Sequence, residues 1–248
     1  WIPLHCHSHY SLLDGLSQPK AMAERCEKLG YSACAITDHG SLSGTIQFQQ
    51  AMDKKKIKSI LGCEFYMSDE DSTIKNKENR RLHHLVVLAK NYDGWLSLCQ
   101  ASSASNLADR FYYKPRLDLD KLADFTEGQN LISFSGHVGS ALSNCLFKDI
   151  KGAYRAKTIE EAQVFVHPDW KKRAVYLAQK HQIIFGQGNF YIEIQLTDKL
   201  NIPTQILIAD MLREVSLATG IPCVATCDAH YVDQQDAIDQ RVLLCSNL

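Results

Sequence analysis

The stretch IPLHCHSHYSLLDG, residues 2–15, begins as an apolar run and delivers histidines at positions 5 and 7. Alternate residues of an extended chain face the same side, so His5 and His7 project together from a first strand. Two imidazoles held side by side are a metal-chelating pair. Asp228 and His230 repeat the spacing near the other end of the sequence, after the apolar run 222–227. In a closed barrel the first and last strands are neighbours, so closure brings the two pairs together.

Between these ends the sequence alternates two kinds of segment. Runs 2–7, 33–37, 59–67, 85–89, 131–135, 190–195 and 222–227 are rich in Ile, Val, Leu, Phe or Cys and read as strands. Segment 19–29 carries a proline at its start and is followed by Gly30, and 204–219 repeats apolar residues at helical spacing before Gly220, both expected helix punctuation. Alternating strands and helices predict a parallel α/β architecture, and seven strands, several ending in polar residues, predict a barrel with its site at the strands' carboxyl ends. Segments 68–81 and 110–124 fit the alternation poorly and read as an exposed loop and an aromatic-anchored excursion.

Composition narrows the function classes. With 45% hydrophobic and 22% charged residues, the 248-residue chain is a folded globular protein. Lys and Arg number 27 against 28 Asp and Glu, so any grip on nucleic acid is local rather than global. Nine cysteines without a Cys-x-x-Cys pair read as free thiols in a reducing, cytoplasmic setting. No apolar run is long enough for a membrane span, so no membrane partner is expected. The sequence starts at Trp1 and stops within an apolar-periodic stretch that begins at Ala237, which reads as part of a longer chain.

Further metal donors sit near strand ends. Asp38 and His39 follow the run 33–37, Glu64 lies inside the run 59–67, and Asp14, His84 and His137 complete the set. A single histidine or aspartate at a strand end is more often a cap or hydrogen-bonding residue than a ligand. The accumulation of His-x-His, Asp-His and Asp-x-His pairs tips the balance. The donors exceed what one zinc ion requires, which points to two or three metals.

HCHSHYSLLDG (5–15), ITDHGSLSG (36–44), GCEFYM (62–67), HHLVVLAKN (83–91), FYYKPRLD (111–118), SGHVG (135–139) and VATCDAHYV (224–232) together resemble the PHP (polymerase and histidinol phosphatase) domain at the N-terminus of bacterial DNA polymerase III alpha subunits. The resemblance runs through the whole chain, in order. It implies a single domain over 1–248, a distorted (β/α)7 barrel with a trinuclear centre of zinc, manganese or iron. By motif position, His5, His7, Glu64 and Asp228 would bind one ion; Glu64, His84 and His137 a second; Asp14, His39 and His230 a third. Position 137 looks like a cysteine in many polymerase relatives, and His137 preserves ligation while shifting the preference toward a harder ion.

The resemblance implies metal-assisted phosphodiester hydrolysis, a 3′–5′ exonuclease on a DNA 3′ end, single-stranded or at a primer terminus, able to proofread. Glu64, Asp228, His230 and His9 are the expected catalytic group, with His9 and His230 the candidates for protonating the leaving oxygen. Lys114 and Arg116, beside Tyr112 and Tyr113, are the expected DNA contacts, combining charge with stacking. The remainder of the polymerase and other replisome components would be partners. Two rivals stand beside this reading: a histidinol-phosphate-type monoester phosphatase, and a structural PHP module whose metals only stabilise the fold.

Overall fold

The computed structural model describes residues 1–136 and 138–246. Its chain gathers into two compact units, one made of Trp1–Leu82, Val86–Leu131 and the segment from Cys227 onward, the other of His83–Leu85 and Ile132–Thr226.

The first unit begins with α1 (Pro19–Lys28), β1 (Ala33–Ile36), α2 (Thr45–Lys54) and β2 (Lys58–Ser68). Pro19 starts α1, where its missing N–H costs nothing, and Gly30 takes φ +68° just beyond the helix end. Met22, Ala23 and Cys26 fall on one buried stripe of α1, and Phe48 and Met52 on one of α2. These side chains pack with Cys6, Cys34, Ile36 and Ile57 into one hydrophobic cluster. β1 and β2 pair in parallel, from Ala33 opposite Lys58 to Ile36 opposite Leu61, with α2 as the crossover. β3 (Leu82–Ala89), α3 (Tyr92–Ser105) and α4 (Leu119–Ala123) follow, with residues 83–85 of β3 counted in the second unit.

In the second unit β4 (Leu131–Phe134), whose first residue belongs to the first unit, leads to three short helices, α5 (Ala141–Cys145), α6 (Ile150–Arg155) and α7 (Ile159–Gln163), and then to α8 (Trp170–Phe185). β5 (Phe190–Ile194), α9 (Thr204–Thr219) and β6 (Cys223–Ala225) complete it. β4 pairs in parallel with β5, and β5 with β6. Gly220 closes α9 in the left-handed conformation at φ 71°, as its place after the periodic stretch predicts. The chain then returns to the first unit for α10 (Ala237–Cys245).

Six of the seven expected strand runs form strands, and the first does not. Residues 2–7 hold only an isolated parallel bridge, Cys6 to Ala229, while the Pro3 carbonyl accepts the Ala35 N–H at 2.8 Å. Proline has no N–H to give a ladder, so this run is tied by single contacts. The expected loop 68–81 is better ordered than its composition suggests, for Ser72 and Asn79 are buried within it.

In the second unit His181 lies on the buried stripe of α8 with Ala174, Ala178 and Phe185. Its ring stacks on Phe190 at 5.0 Å and its Nδ1 bonds the Leu177 carbonyl at 2.8 Å. Burial lowers its pKa to about 4. The unfolded imidazole, near 6.5, takes up a proton first as the solution is acidified, so stability is full above pH ~6.5 and is lost as pH falls toward 4. The loss expected from this group is roughly 3 kcal/mol. Denaturant titrations between pH 7 and 4 should show it, and His181→Phe, which keeps a ring against Phe190 without titrating, should flatten that part of the profile.

Candidate metal centre

Two parallel registers of the first unit assemble the centre. The β1–β2 pairing continues past Ile36 as a bridge between His39 and Glu64, with the Gly40 N–H donating to the Glu64 carbonyl at 2.8 Å. Gly40 turns the chain there at φ +58°. On the other side Cys6 bridges Ala229, the His7 N–H donates to the Ala229 carbonyl at 2.8 Å, and the Ala229 N–H to the His5 carbonyl at 3.2 Å. That register sets His5 and His7 beside Asp228 and His230. The Thr37 N–H donates to the Cys6 carbonyl at 2.9 Å and joins the two pairings.

The side chains meet at close range. His5 Nε2 lies 3.3 Å from Glu64 Oε1 and 3.2 Å from Asp228 Oδ1. His7 Nε2 lies 3.5 Å from Glu64 Oε2 and 3.1 Å from Asp228 Oδ1. His39 spans two carboxylates, Nδ1 at 2.6 Å from Glu64 Oε2 and Nε2 at 3.0 Å from Asp14 Oδ2. His230 Nε2 stands 3.4 Å from the same Asp14 oxygen. The His7 ring is stacked between His39 at 4.2 Å and His230 at 4.3 Å. His5, His7 and Glu64 are wholly buried.

Hydrogen bonds aim these rings. His7 Nδ1 meets Ser11 Oγ at 3.0 Å, which leaves Nε2 for the carboxylates. Ser11 Oγ donates onward to Asp38 Oδ1 at 2.8 Å, and Asp38 also accepts from the Ser8 N–H at 2.6 Å and Ser8 Oγ at 2.7 Å. Asp38 thus anchors the turn after His7 without facing the cluster. His230 Nδ1 donates to the Asp228 carbonyl at 2.9 Å, which fixes its tautomer. Asp228 holds φ +49°, a left-handed conformation uncommon for a residue other than glycine and of a kind that gathers at functional sites.

Electrostatics identifies what the cluster favours. Burial pushes His7 down to about 3 against the pull of Asp228, so its imidazole is neutral, the form that ligates. Burial also opposes charge on His39, but Asp14 and Glu64 outweigh it and raise the ring to about 9. Burial works against ionising Asp14, yet its hydrogen bonds from His230 and His39 hold the carboxyl well below the usual range. Buried carboxylates this dense call for positive charge.

The donor set fits divalent metal. Ligands on one tetrahedral ion at ~2.0–2.1 Å stand about 3.3 Å apart, and the donor separations around His5, His7, Glu64 and Asp228 run from 3.1 to 3.5 Å. His5, His7 and Glu64, and likewise His7, His39 and His230, bring ligand atoms within 4.8 Å of one another.

The remaining expected residues divide. His84 lies in the second unit, half-buried within β3, its N–H donating to the Gly139 carbonyl at 3.2 Å. His137 falls outside the described residues. The chain turns after Ser8, so His9 leaves the alternation; it is exposed, with Nδ1 3.4 Å from the Ser17 carbonyl and its ring on Tyr10. Lys114 is exposed, its ammonium 4.2 Å above the Tyr66 ring and 3.1 Å from the Tyr66 hydroxyl, and Tyr66 stacks on His39 at 5.7 Å. Desolvation lowers the Lys114 pKa, against the pull of Asp14 and Glu64.

Arg116 is a correction. It is fully buried and donates to four backbone carbonyls, Ser72 and Arg110 from Nε at 3.1 Å, Asn79 from Nη1 at 2.6 Å and Ile74 from Nη2 at 2.7 Å. A guanidinium so buried and so engaged organises the loop 68–81 and presents no surface to DNA. Position beside tyrosines does not separate a surface arginine from a structural one. Ser11 is the residue that sequence reasoning did not place in a role, and Asp38, expected there among the metal donors, instead accepts from Ser8 and Ser11.

The anchoring of His7 through Ser11 generates a prediction. Asp38→Asn keeps size and one acceptor oxygen but loses the charge that gathers three donors. Metal affinity should fall about ten- to a hundredfold, read by competition with a chelator. Unchanged affinity would show that Asp38 does not set the His7 orientation.

Known proteins share this arrangement of chain. The PHP domain family model matches residues 3–197. The DNA polymerase III subunit alpha of Treponema pallidum is 35% identical over 247 residues, covering 99% of this chain and 19% of that protein. That of Helicobacter pylori (strain 26695) is 35% identical over 244 residues, covering 98% of this chain and 18% of the relative. The chain thus spans about a fifth of the length of these relatives. Among solved structures, a protein of Bifidobacterium adolescentis, provisionally described as a metal-dependent phosphoesterase, aligns with a TM-score of 0.53 at 13% identity, over 98% of this chain and 95% of its own, a likeness of fold. No helix among the described residues is long and apolar enough to cross a membrane. With a family model covering most of its length and its buried imidazoles and carboxylates gathered by two parallel registers, this chain belongs to the PHP domain family.

Proposed function

We propose that residues 1–248 form one phosphoesterase domain of a cytoplasmic DNA polymerase III alpha subunit and hydrolyse phosphodiesters as a 3′–5′ exonuclease. The observation that carries the reading is the convergence of His5, His7, His39, Glu64, Asp14, Asp228 and His230 at ligand spacing. These residues would hold two or three ions of zinc, manganese or iron. His84 and His137 are proposed as further ligands on the family resemblance. Bound at these residues, such ions supply charge stabilisation at phosphorus and an acidified water.

The chain's own groups would do the positioning. Glu64, buried between His5, His7 and His39, would be a ligand shared by the ions. With Nδ1 donating to the Asp228 carbonyl, His230 would ligate through Nε2, and His9 would protonate the leaving oxygen. Lys114, with its ammonium held over Tyr66, would take a phosphate oxygen of the DNA strand. The rest of the polymerase and the replisome would bring the 3′ end to it.

Elemental analysis followed by hydrolysis of 3′-labelled single-stranded DNA, with histidinol phosphate in parallel, tests the proposal. Stepwise loss of 3′ nucleotides supports it; turnover of the monoester alone would replace it with a phosphatase, and metal without turnover with a structural module. Glu64→Ala should abolish hydrolysis with the fold retained by circular dichroism, and full activity in that variant would sink the shared-ligand assignment. Two further substitutions separate the remaining roles: Lys114→Ala should raise KM about ten- to a hundredfold with kcat little changed, while His9→Gln should lower kcat by about a hundredfold or more with metal content intact.

A further inference from the structure

The strip that carries His5 and His7 toward the carboxylates turns Cys6 the opposite way, into the hydrophobic cluster with α1, β1 and α2. Three more cysteines come to the same place from separate segments: Cys26 from α1, Cys34 from β1 and Cys227 from beyond β6. All four line a cavity of about 190 Å³ in the first unit, together with Met22 and Tyr31. None of them is in a disulfide. Cys34 interacts with Cys26 and with Cys6, and Cys6 with Cys227.

This row differs in kind from the centre on the other face. That centre offers imidazole and carboxylate, which suit borderline and hard divalent ions; the cavity is lined by four cysteines and Met22, with Ser17, Arg25, Tyr31 and Tyr231 its other polar residues and no imidazole or carboxylate among them. Hydrogen bonds from the Cys26 and Cys6 thiols outweigh burial and lower the Cys34 pKa, which makes Cys34 the first of the group to ionise. The same interaction raises the pKa of Cys26, which keeps its proton. A soft ion of closed d-shell accepts two sulfurs, or three with a long thioether contact, and is indifferent to the lack of water and of carboxylates around it.

We propose that Cys34 and Cys26, with Cys6 and Met22 beside them, form a second metal site on the face away from the histidines, taking a soft monovalent cation of the Cu(I) class. Cys34 enters as the thiolate. Cys26 gives up its proton to solvent as its sulfur binds, so one proton is released per ion and the oxidation state is unchanged. The cavity supplies the path by which the ion reaches thiols that are nearly inaccessible from the surface. The proposal is independent of the phosphoesterase reading, because it concerns different donors and a different ion.

The test uses the full chain under anaerobic conditions, titrated with Cu(I) supplied as its bicinchoninate complex. One equivalent should be withdrawn from the complex, with X-ray absorption reporting sulfur neighbours. Cys34→Ser and Cys26→Ser should each weaken uptake at least tenfold, whereas Glu64→Ala, which disables the opposite centre, and Cys223→Ser at an exposed thiol should leave it unchanged. Should the buried variants fail to fold, the unsubstituted protein still decides the matter. Iodoacetamide labelling read by mass spectrometry should find Cys26 and Cys34 protected by Cu(I) and the exposed Cys223 and Cys245 still reactive. No uptake, nitrogen or oxygen ligation alone, uptake unaltered in the two variants, or labelling of Cys26 and Cys34 undiminished by Cu(I) would overturn the proposal.

Discussion

A carboxylate with no access to solvent is the constraint around which the first unit is built. Glu64 has its oxygens within 3.5 Å of His5, His7 and His39, and the burial of its charge is tolerable only because the surrounding groups are cationic, ligating or both. The strands cannot shift register to relieve it. A slip of one residue on β2 would turn Glu64 to the opposite face of the sheet and bring Cys63 in its place. The parallel pairing that holds His39 opposite Glu64 therefore fixes both the fold of this unit and the chemistry of its centre.

Alternation along an extended segment makes one short run serve two environments. His5 and His7 face the carboxylates, while Cys6 between them packs with Met22, Cys26, Cys34 and Phe48. A change in the apolar cluster is thereby felt at the imidazoles through the backbone they share. Asp38 works similarly. Its carboxylate gathers Ser8 and Ser11, and the Ser11 hydroxyl carries that hold to the His7 ring. The pKa pattern follows from this arrangement, with His7 kept neutral by burial and His39 kept charged by its two carboxylates.

Much of this was legible in the sequence, and the reasons are local. Alternation in 5–7 and 228–230 sets which residues share a face, and glycine and proline mark the ends of α1 and α9 correctly. The strand runs from 33 onward all appear, because β-branched and apolar runs bounded by turn residues have few alternatives. Residues 2–7 were less legible, since their pattern is that of a strand while Pro3 and the single bridge to Ala229 make them a tied extension. His84 precedes its apolar run in the sequence yet lies inside β3, because that strand begins at Leu82.

The sequence by itself determined the parallel α/β character, the donor inventory and the side of the chain to which each donor points, all consequences of backbone periodicity over a few residues. Only the tertiary structure decided which donors meet and which basic residues are spent on the fold. Arg116 and Lys114 stand two positions apart with the same aromatic neighbours, yet one is bonded to four buried carbonyls and the other reaches over Tyr66. The four cysteines, scattered from position 6 to position 227, acquire a common cavity in the same way. Local pattern gives direction, while proximity depends on contacts between residues far apart in the chain, whose closure is set by packing and register.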